Sequence, residues 1–385
     1  MQDTLKTYRH IIICDEASPA HGGIQNMAYW IASTLADRGY SVVMAGYQDE
    51  LCKEALAAAR VECHTTDAPT RSRKNSDLKL MALLLKLRTR YGSRVIVYSL
   101  LINRVKVFRW LQFMLGWQCV SFLHGNEVLR FLKRRPATLL RNILACQCVF
   151  ANSRYTLGLV QGLAGEGHLH LLSPGIPAHL YQTLPDQDYR SVHGWQNRKI
   201  ILMLGRLVKR KGHGIVMEAV ARLRAKHPDV MLVIGGTGPY LDTLKMQAAE
   251  QGIADVTHFM GFVAEADKPA LFQACDIFCM LSDMDEEIFE VEGFGIVLLE
   301  AAAMGKLAIA ADCGGMNDAV EQGRSGFLIS PGDTSGLTTL LDTILTHPDV
   351  YQTLRDYARN RALSQFDWGS RVDQMLDTLA RRITQ

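Results

Sequence analysis

The 385-residue sequence has no long hydrophobic run, and its net charge is only +3. A membrane-spanning helix needs about 18 or more apolar residues, and no segment reaches that length without polar interruption. The nearest candidate, 107–123, contains Arg109, Gln112 and Gln118, and we interpret it as a helix that runs into a strand. The first residues have neither the apolar length nor the cleavage site of a signal peptide. We therefore expect neither a spanning helix nor a secretory leader.

Cysteine pairs with the spacing of a metal site are also missing. The nine cysteines are scattered at positions 14, 52, 63, 119, 146, 148, 275, 279 and 313. Cys146 and Cys148 are too close together, and Cys275 and Cys279 have no second pair or nearby histidines, so no zinc site is expected. Scattered thiols in a large chain are typical of a reducing cytoplasm, where we expect the protein to work.

Positive charge is concentrated in one part of the chain. Residues 71–141 contain sixteen Lys or Arg against Asp77 and Glu127, a local charge of +14, which leaves −11 for the remainder. Such a region favours an anionic partner or surface, and it raises the possibility of peripheral attachment to the inner membrane face. A solvated face of surface helices is the alternative. We do not expect a nucleic-acid partner.

Short β-branched runs alternate with helical stretches along the whole chain. The runs interpreted as strands are 10–14, 40–46, 94–100, 118–123, 148–153, 198–205, 230–236, 256–261, 277–281, 306–311 and 326–330. Helical periodicity lies between them, as in 214–227 and 239–252. This α/β alternation predicts parallel sheets with helices on both faces, and the length predicts two doubly wound domains. The alternation breaks at 184–197, which we interpret as the linker.

The most informative motif is EVEGFGIVLLEAAAMGK (290–306). Glu292 precedes a Gly-Phe-Gly turn and an apolar helix, and Glu300 follows eight residues after Glu292. A helix that starts near Phe294 would offer free amides and a favourable dipole to a diphosphate. Glu300 would lie about 9 Å along that helix, where a carboxylate can accept hydrogen bonds from ribose hydroxyls. The alternative is that Glu300 is a helix residue paired with a lysine.

This Glu-x7-Glu spacing resembles the nucleotide-binding signature of the retaining glycosyltransferases of group 1, which have the GT-B fold. The resemblance extends over nearly the whole chain, with the motifs in the expected order. It implies two Rossmann-like domains that face a central cleft. The implied segments are an acceptor-binding domain (1–186), a nucleotide-sugar-binding domain (187–365) and a terminal helix (366–385) that returns to the first domain. A simple terminal helix is the alternative for the last segment.

The resemblance also implies a reaction. A hexose-type sugar would pass from a nucleotide-diphosphate donor to a saccharide or lipid-linked acceptor, in the assembly of cell-surface polysaccharide or glycolipid. The acceptor hydroxyl would attack from the side that the nucleotide leaves, and the departing phosphate would take the proton. The family generally needs no metal ion, so we expect no cofactor. Asp283-Met-Asp285 imitates a metal motif of other glycosyltransferases, but we interpret it as part of a solvated acidic loop.

Two cations follow the first strand of the second half, in LGRLVKRKG (204–212). Arg206 and Lys211 can clamp a pyrophosphate and stabilise charge on the leaving group, which is the role that the resemblance gives them. A basic surface turn is the alternative. We interpret the neighbouring Lys209 and Arg210 as solvated.

The first half offers a glycine loop and a histidine. Gly22 and Gly23, in SPAHGGIQ (18–25), follow the first strand and open a helix, so their amides could meet a phosphate or sugar oxygen. A plain β-α turn would look similar. His124 directly follows a strand, and although a lone histidine is usually structural, the resemblance places it against the sugar of the donor.

Together these motifs define the predicted site. The expected catalytic residues are His124, Arg206, Lys211 and Glu292. The expected donor-binding residues are Gly22, Gly23, Arg206, Lys211, Gly235, Gly236, Phe262, Val263, Gly293, Phe294, Gly295, Ile296 and Glu300. Weaker candidates for acceptor contact are Asn126, Glu127, Ser153 and Arg154. Two other functions stay open: a nucleotide-sugar epimerase that turns over the donor alone, and a non-catalytic subunit that binds nucleotide sugars.

Overall fold

The computed structural model describes residues 8–14, 22–46, 48, 50–65, 73–99, 102, 105, 116–164, 167–183, 185, 187–285, 287 and 289–383. Some predicted features lie outside the described residues: positions 18–21 of the glycine loop, Arg71, and 107–115 of the predicted helix. The side chains of Arg73 and Lys74 also lie outside them.

The chain divides into two compact units. Unit 1 comprises Met1–Gly175 together with Trp368–Gln385, and unit 2 comprises Ile176–Asp367. The first boundary falls before the predicted end of the N-terminal domain at 186. The segment that we interpreted as a linker, 184–197, therefore belongs to unit 2.

Three side chains attach this segment to unit 2. Tyr189 and Trp195 are buried in its hydrophobic core. The guanidinium of Arg190 donates to the carbonyl oxygen of Ala274 at 2.8 Å and to Asp276 at 2.8 Å. These contacts correct the linker interpretation. The segment is polar in composition, but it contains a short helix and two buried aromatic side chains.

Unit 1 is built on a seven-stranded parallel sheet in the order β3-β2-β1-β4-β5-β6-β7. Its strands are β1 (His10–Ile13), β2 (Ser41–Gly46), β3 (Glu62–Thr65), β4 (Val95–Ser99), β5 (Gln118–Leu123), β6 (Cys148–Ala151) and β7 (Leu169–Leu171). The sequence predicted five of them. It missed the edge strands β3 and β7. β3 has the polar sequence ECHT, and β7, with the sequence LHL, is only three residues long.

Helices cover both faces of this first sheet. They are α1 (Gly23–Asp37), α2 (Glu50–Ala58), α3 (Arg73–Tyr91), α4 (Gly125–Arg134), α5 (Pro136–Leu144) and α6 (Arg154–Val160). Alternate residues of each strand enter two separate cores, as strand geometry requires. Ile11 and Ile13 join the core beneath α1, whereas Ile12 joins the core beneath α3, α4 and α5.

Unit 2 contains a six-stranded parallel sheet in the order β10-β9-β8-β11-β12-β13. Its strands are β8 (Lys199–Leu204), β9 (Val230–Gly235), β10 (Thr257–Gly261), β11 (Ile277–Met280), β12 (Leu307–Ala311) and β13 (Gly326–Ile329). All six match predicted strands. They read as nearly continuous apolar runs because helices bury both faces of a parallel sheet.

Nine helices accompany this sheet within the described part of unit 2. They are α7 (His179–Gln182), α8 (Tyr189–His193), α9 (His213–Leu223), α10 (Leu241–Glu250), α11 (Lys268–Ala274), α12 (Ile296–Ala303), α13 (Met316–Ala319), α14 (Thr334–Thr346) and α15 (Gln352–Gln365). One core lies beneath α11, α12 and α15, and a second core lies beneath α9, α10 and α14.

The last helix, α16 (Trp368–Ile383), belongs to unit 1. Trp368, Val372, Met375 and Leu379 are buried in the core that also contains residues of α1. Arg38, which directly follows α1, forms a bidentate ion pair with Asp373, with both contacts at 2.9 Å. The chain thus leaves unit 1 after Gly175 and returns to it for its final helix.

Among the described residues, the structure contains no helix with the combined length and apolarity needed to cross a bilayer.

Candidate functional site

The strand order of each sheet reverses direction at one place. In unit 2 this topological switch lies between β8 and β11, which pair directly while their chain connections run to opposite sides. Ligands of doubly wound sheets bind outside the carboxyl ends of the strands at such a point. The loops after these two strands, 205–212 and 281–295, are therefore where the site should lie.

These two loops touch each other. The amide of Asp283 donates to the carbonyl oxygen of Arg210 at 2.7 Å. Gly212 has a φ of +71°, and a Cβ on it would overlap the carbonyl of Leu281. Glycine is thus required at 212 both by backbone conformation and by space. The close approach brings the basic loop after β8 against the acidic loop after β11.

A carboxylate and two cations meet where the loops touch. Lys211 Nζ lies 2.7 Å from Glu292 Oε2, and Arg210 contacts the same oxygen at 3.3 Å. Arg210 also contacts Glu290 at 3.3 Å. Burial would raise the pKa of Glu292, but Lys211 and Arg210 outweigh it and hold this pKa below the ordinary carboxyl value. Glu292 is therefore an anion in the neutral range, held at a defined position.

The neighbouring cations differ from one another in their surroundings. Arg210, which we expected to be solvated, is largely buried against Glu290 and Glu292, so that expectation was wrong. Arg206 is exposed, and its side chain forms no hydrogen bond or ion pair with the part of the chain that the structure describes. The loop after β8 thus holds two cations, Arg210 and Lys211, against acidic side chains and presents Arg206 to solvent.

Three glycine-bearing strand ends lie side by side next to this loop. The amide of Gly205 donates to the carbonyl of Gly235 at 3.0 Å, and the amide of Gly236 donates to that of Gly261 at 2.6 Å. Gly236 has a φ of +126°, and a Cβ there would collide with the carbonyl of Gly205. The close packing of these backbones explains why the predicted Gly235-Gly236 pair has no side chains.

Phe262 and Val263 continue from the same edge of the sheet. Phe262 is 62% exposed, whereas Val263 packs on the core of unit 2. A Cβ on Gly235 would lie 3.1 Å from Val263 Cγ2, so these two predicted positions are neighbours.

The helix that carries Glu300 begins later than predicted. Its first residue is Ile296, and Gly295 precedes it in the left-handed conformation, with a φ of +86°. No side chain caps this end, so its first amides are open to a ligand. The start at Ile296 rather than Phe294 places Glu300 about 6 Å along the helix, closer to the amides than expected.

Glu300 lies in a buried cluster of ionisable groups. It is only 3% exposed, and Lys268 Nζ lies 3.1 Å and 3.2 Å from its two carboxylate oxygens. Lys268 also contacts Glu265 at 2.7 Å, and the Tyr181 hydroxyl donates to Glu300. The pairing with a lysine that we kept as the alternative is thus present. This pairing does not use the full hydrogen-bonding capacity of Glu300, because each carboxylate oxygen can accept more than one hydrogen bond.

The pKa shifts in this cluster show how strongly its members interact. Burial disfavours the ammonium of Lys268, but the charges of Glu300 and Glu265 raise its pKa above the ordinary value. Burial and the charge of Glu300 raise the pKa of Glu265. Burial and the same charge raise the pKa of Tyr181 well above its usual range. In the neutral range Lys268 is therefore positively charged, and the hydroxyl of Tyr181 keeps its proton.

Three residues beside the predicted ones were not anticipated from the sequence: Tyr181, Lys268 and His213. Lys268 is 32 residues from Glu300 in sequence, and only the fold brings the two together. The one local signal was Glu265, three residues before Lys268. His213 is buried next to Lys211, and burial together with that charge lowers its pKa to about 4.

In unit 1 the predicted residues also follow strands. Gly22 has a φ of +69° and precedes α1, which begins at Gly23, without a side-chain cap. His124 directly follows β5 and occupies the cap position of α4 in an extended conformation. His124 therefore stands at a carboxyl strand end, where sheets of this type bind ligands.

Two of the weaker acceptor candidates have structural roles. Ser153 is fully buried, accepts from the amide of Thr156 at 3.1 Å and so caps α6. Glu127 Oε1 lies 3.4 Å from the amide of Ile102, so this carboxylate is tied to backbone. Asn126 and Arg154, in the first turns of α4 and α6, stay candidates.

The acidic loop after β11 is ordered by its own backbone. Asp285 and Glu290 form an antiparallel bridge, and the carboxylates of Asp283 and Asp285 accept from the amides of Met284 and Glu287. Within the described residues, no group of three His, Cys, Asp or Glu side chains is arranged to hold a metal ion.

The sequence is similar to those of known glycosyltransferases. The family described as Glycosyl transferases group 1 matches residues 185–361. A GDP-mannose-dependent alpha-(1-6)-phosphatidylinositol monomannoside mannosyltransferase of Mycolicibacterium smegmatis is 31% identical over 267 residues, which are 68% of this chain and 70% of the relative. A mannosylfructose-phosphate synthase of Agrobacterium fabrum is 27% identical over 246 residues, which are 60% of this chain and 52% of the relative.

Solved structures show the same fold. Anabaena HepE in complex with UDP and glucose has a TM-score of 0.79 at 24% identity, and the match covers 97% of this chain and 100% of that chain. A sucrose-phosphate synthase from Thermosynechococcus elongatus has a TM-score of 0.79 at 20% identity, with 98% and 99% covered.

Two parallel Rossmann-like sheets, with a cationic loop and an uncapped helix at the switch point of the second, define a glycosyltransferase of the GT-B fold that uses nucleotide sugars. The chain belongs to the group 1 glycosyltransferases.

Proposed function

We propose that unit 2 binds the nucleotide-diphosphate sugar at the β8/β11 switch point. Arg206 and Lys211 contact the diphosphate together with the first amides of α12, and Glu300 accepts from the ribose hydroxyls. The observation that carries the proposal is the placement of Lys211 and Glu292 in contact beside an uncapped helix end. Cations and free helix amides are the groups that bind diphosphates.

The remaining predicted contacts surround this position. The glycines at 235 and 236 allow the nucleotide to approach the strand ends, and the backbone at Phe262 and Val263 holds the base. The turn formed by Gly293, Phe294 and Gly295 leads to Ile296 and lets the phosphates reach the amides. Glu292, held by Lys211, meets the sugar on the other side of the phosphates.

We propose that transfer retains the anomeric configuration. The acceptor oxygen bonds to the anomeric carbon from the same side as the departing diphosphate, while the bond between that carbon and the phosphate oxygen breaks. The acceptor proton passes to the leaving phosphate oxygen, so no enzymatic nucleophile is needed. For unit 1 we keep the proposal that His124, Gly22 and Gly23 take part in binding the donor. Exclusion of water limits hydrolysis of the donor.

The names of the relatives support a hexose donor and a saccharide or lipid-linked acceptor. The mycobacterial relative is named for GDP-mannose and for a phosphatidylinositol mannoside, and HepE was crystallised with UDP and glucose. We propose a mannosyl or related hexosyl transfer in the assembly of a glycolipid or cell-surface polysaccharide. We propose further that Arg206 and Lys211 carry the charge of the leaving diphosphate without a metal ion. Activity that EDTA abolishes would contradict this last point.

A screen of nucleotide sugars tests the donor. A sugar nucleotide at 100 times its Kd adds about 2.7 kcal/mol to the free energy of unfolding, which a thermal shift detects. With the best donor and an acceptor panel, proton NMR of the first product then gives its anomeric configuration. Retention supports the mechanism, and inversion contradicts it. Conversion of the donor alone to another sugar nucleotide would favour an epimerase, and activity only with a partner protein would favour a binding subunit.

A further inference from the structure

One side of unit 1 contains nearly all of the described basic region. Helices α3, α4 and α5 pack on the same core, beneath the same face of the first sheet, through residues such as Leu84, Val128 and Ile143. The opposite face is covered by α1, α2 and α16. The cations of 71–141 that the structure describes on α3, α4 and α5 are therefore gathered on one face of the folded unit.

The outward side chains of these three helices and of the α4–α5 junction are mostly cations. The exposed basic residues are Lys79, Lys86, Arg90, Arg130, Lys133, Arg134, Arg135 and Arg141. Of these, Arg90 pairs with Glu62 at 2.9 Å. The side chain of Glu127, an acidic residue of α4, contacts the backbone amide of Ile102. The outer surface thus has a strong excess of positive charge.

Large aliphatic side chains stand exposed between these cations. On α3, Leu78 is 64% exposed and Leu85 is 44% exposed, and their spacing of seven residues places them on one side of the helix. On α5, Leu144 is 51% exposed. The inner side of α3 places its own leucines, Leu80, Leu84 and Leu87, in the core, and the three outer leucines are not part of that core.

We propose that this basic-leucine face, formed by the outer sides of α3, α4 and α5, docks on an anionic lipid bilayer. The cations contact lipid phosphates, and Leu78, Leu85 and Leu144 enter the boundary between headgroups and acyl chains. Mixed basic and aliphatic surfaces are suited to this boundary, since it offers anionic groups and hydrocarbon together.

The exposed leucines distinguish a bilayer from a nucleic acid. Aliphatic side chains gain free energy on leaving water for hydrocarbon, but they gain little from a phosphodiester backbone. Sites for single-stranded nucleic acid instead present aromatic rings for stacking, and the exposed large apolar residues of the described parts of α3, α4 and α5 are all leucines. The surface lies within unit 1, so the inference does not depend on the proposed sugar-donor site in unit 2.

Sedimentation with phosphatidylcholine vesicles, with and without phosphatidylglycerol, tests the proposal on the full chain. We expect binding only to the anionic vesicles, weakened by salt. The combined change Lys133→Ser, Arg134→Ser, Arg135→Ser should lower the partition coefficient about fivefold per residue. The change Leu78→Ser, Leu85→Ser should also weaken binding but leave its salt dependence intact.

The matched control lies in unit 2, where Lys245 and Met246 are an exposed cation and an exposed apolar residue. Lys245→Ser with Met246→Ser should leave vesicle binding unchanged. The far-UV circular dichroism spectrum and the melting temperature without ligand confirm that each variant is folded. The proposal is overturned if the wild type does not bind the vesicles, or if the basic triple variant binds them equally well. Tight binding to an oligonucleotide that the leucine change does not affect would assign the face to nucleic acid instead.

Discussion

Lys211 and Glu292 are the two residues on which the proposed chemistry most depends. Lys211→Ala leaves Glu292 with Arg210 alone at 3.3 Å and removes one of the two cations proposed for the diphosphate. We expect the nucleoside-diphosphate thermal shift to disappear, since charge-assisted contacts dominate diphosphate binding. Lys209→Ala, an exposed lysine of the same loop, is the matched control and should keep the shift. Equal ligand stabilisation of the two variants would rule out the role given to Lys211.

Lys268 has a different role, because it neutralises buried carboxylates. Lys268→Met removes the cation that both oxygens of Glu300 contact and leaves a buried anion unpaired. Loss of one partner of a buried ion pair costs about 3–5 kcal/mol. We expect a fall of that order in the free energy of unfolding of unit 2, measured by denaturant titration. Lys268→Arg should recover much of it, whereas Tyr181→Phe should cost only about 1 kcal/mol, as for one hydrogen bond. A Lys268→Met variant with the same free energy of unfolding as the wild type would contradict the arrangement described for Glu300.

His213 should make stability depend on pH. Its pKa is lowered to about 4 by burial and by Lys211, whereas an unfolded histidine titrates near its ordinary value of 6.5. The unfolded chain therefore binds the extra proton, so this contribution falls as pH decreases from 6.5 to 4, by about 3 kcal/mol in total. We expect His213→Gln to have a shallower dependence in that window. Above pH 7 the two curves should run parallel, and parallel curves between pH 6.5 and 4 would refute the assignment.

The residues that could be predicted from sequence are those in contiguous motifs. Glu292, Glu300 and Lys211 stand in short segments whose spacing has a physical meaning. Arg210 was misread because an exposed and a paired arginine look alike in a basic run. Lys268 could not be found, since its contact with Glu300 depends on the packing of two helices that lie far apart in the chain.

Among the elements, the buried strands were predicted best. The strands of unit 2 other than β10 are apolar runs between helices, so their composition alone was sufficient. The edge strands β3 and β7 bury little and therefore lack this signal. The helix that begins at Ile296 was placed two residues too early, because Gly295 takes the left-handed conformation and sets the true start.

The terminal helix α16 offers a test at the level of one element. Met375 is fully buried in the core of unit 1, where α16 packs with residues of α1 that lie more than 300 positions earlier in the chain. Met375→Ala should lower the free energy of unfolding by about 2–5 kcal/mol, as for other large-to-small core changes. Amide hydrogen exchange should show the loss in unit 1, and Asp377→Ala, an exposed residue of the same helix, is the control. Faster exchange in unit 2 alone would contradict this placement.

For the whole molecule, chain length and alternation of elements were enough to predict two doubly wound domains. The observed units change at Gly175 and again at Trp368. The first change precedes the predicted linker because Tyr189 and Trp195 bury themselves in unit 2. Polar composition indicates a linker only when no aromatic side chain attaches it to a domain, and here two of them do.

The account depends on one binding event, the capture of a nucleoside diphosphate at the switch point of unit 2. A crystal structure of the full chain with bound GDP or UDP tests it most directly. We predict phosphates within hydrogen-bonding distance of Arg206, Lys211 and the amides at the start of α12, with the ribose at Glu300. A nucleotide bound elsewhere, with these three side chains turned away from it, would contradict the account.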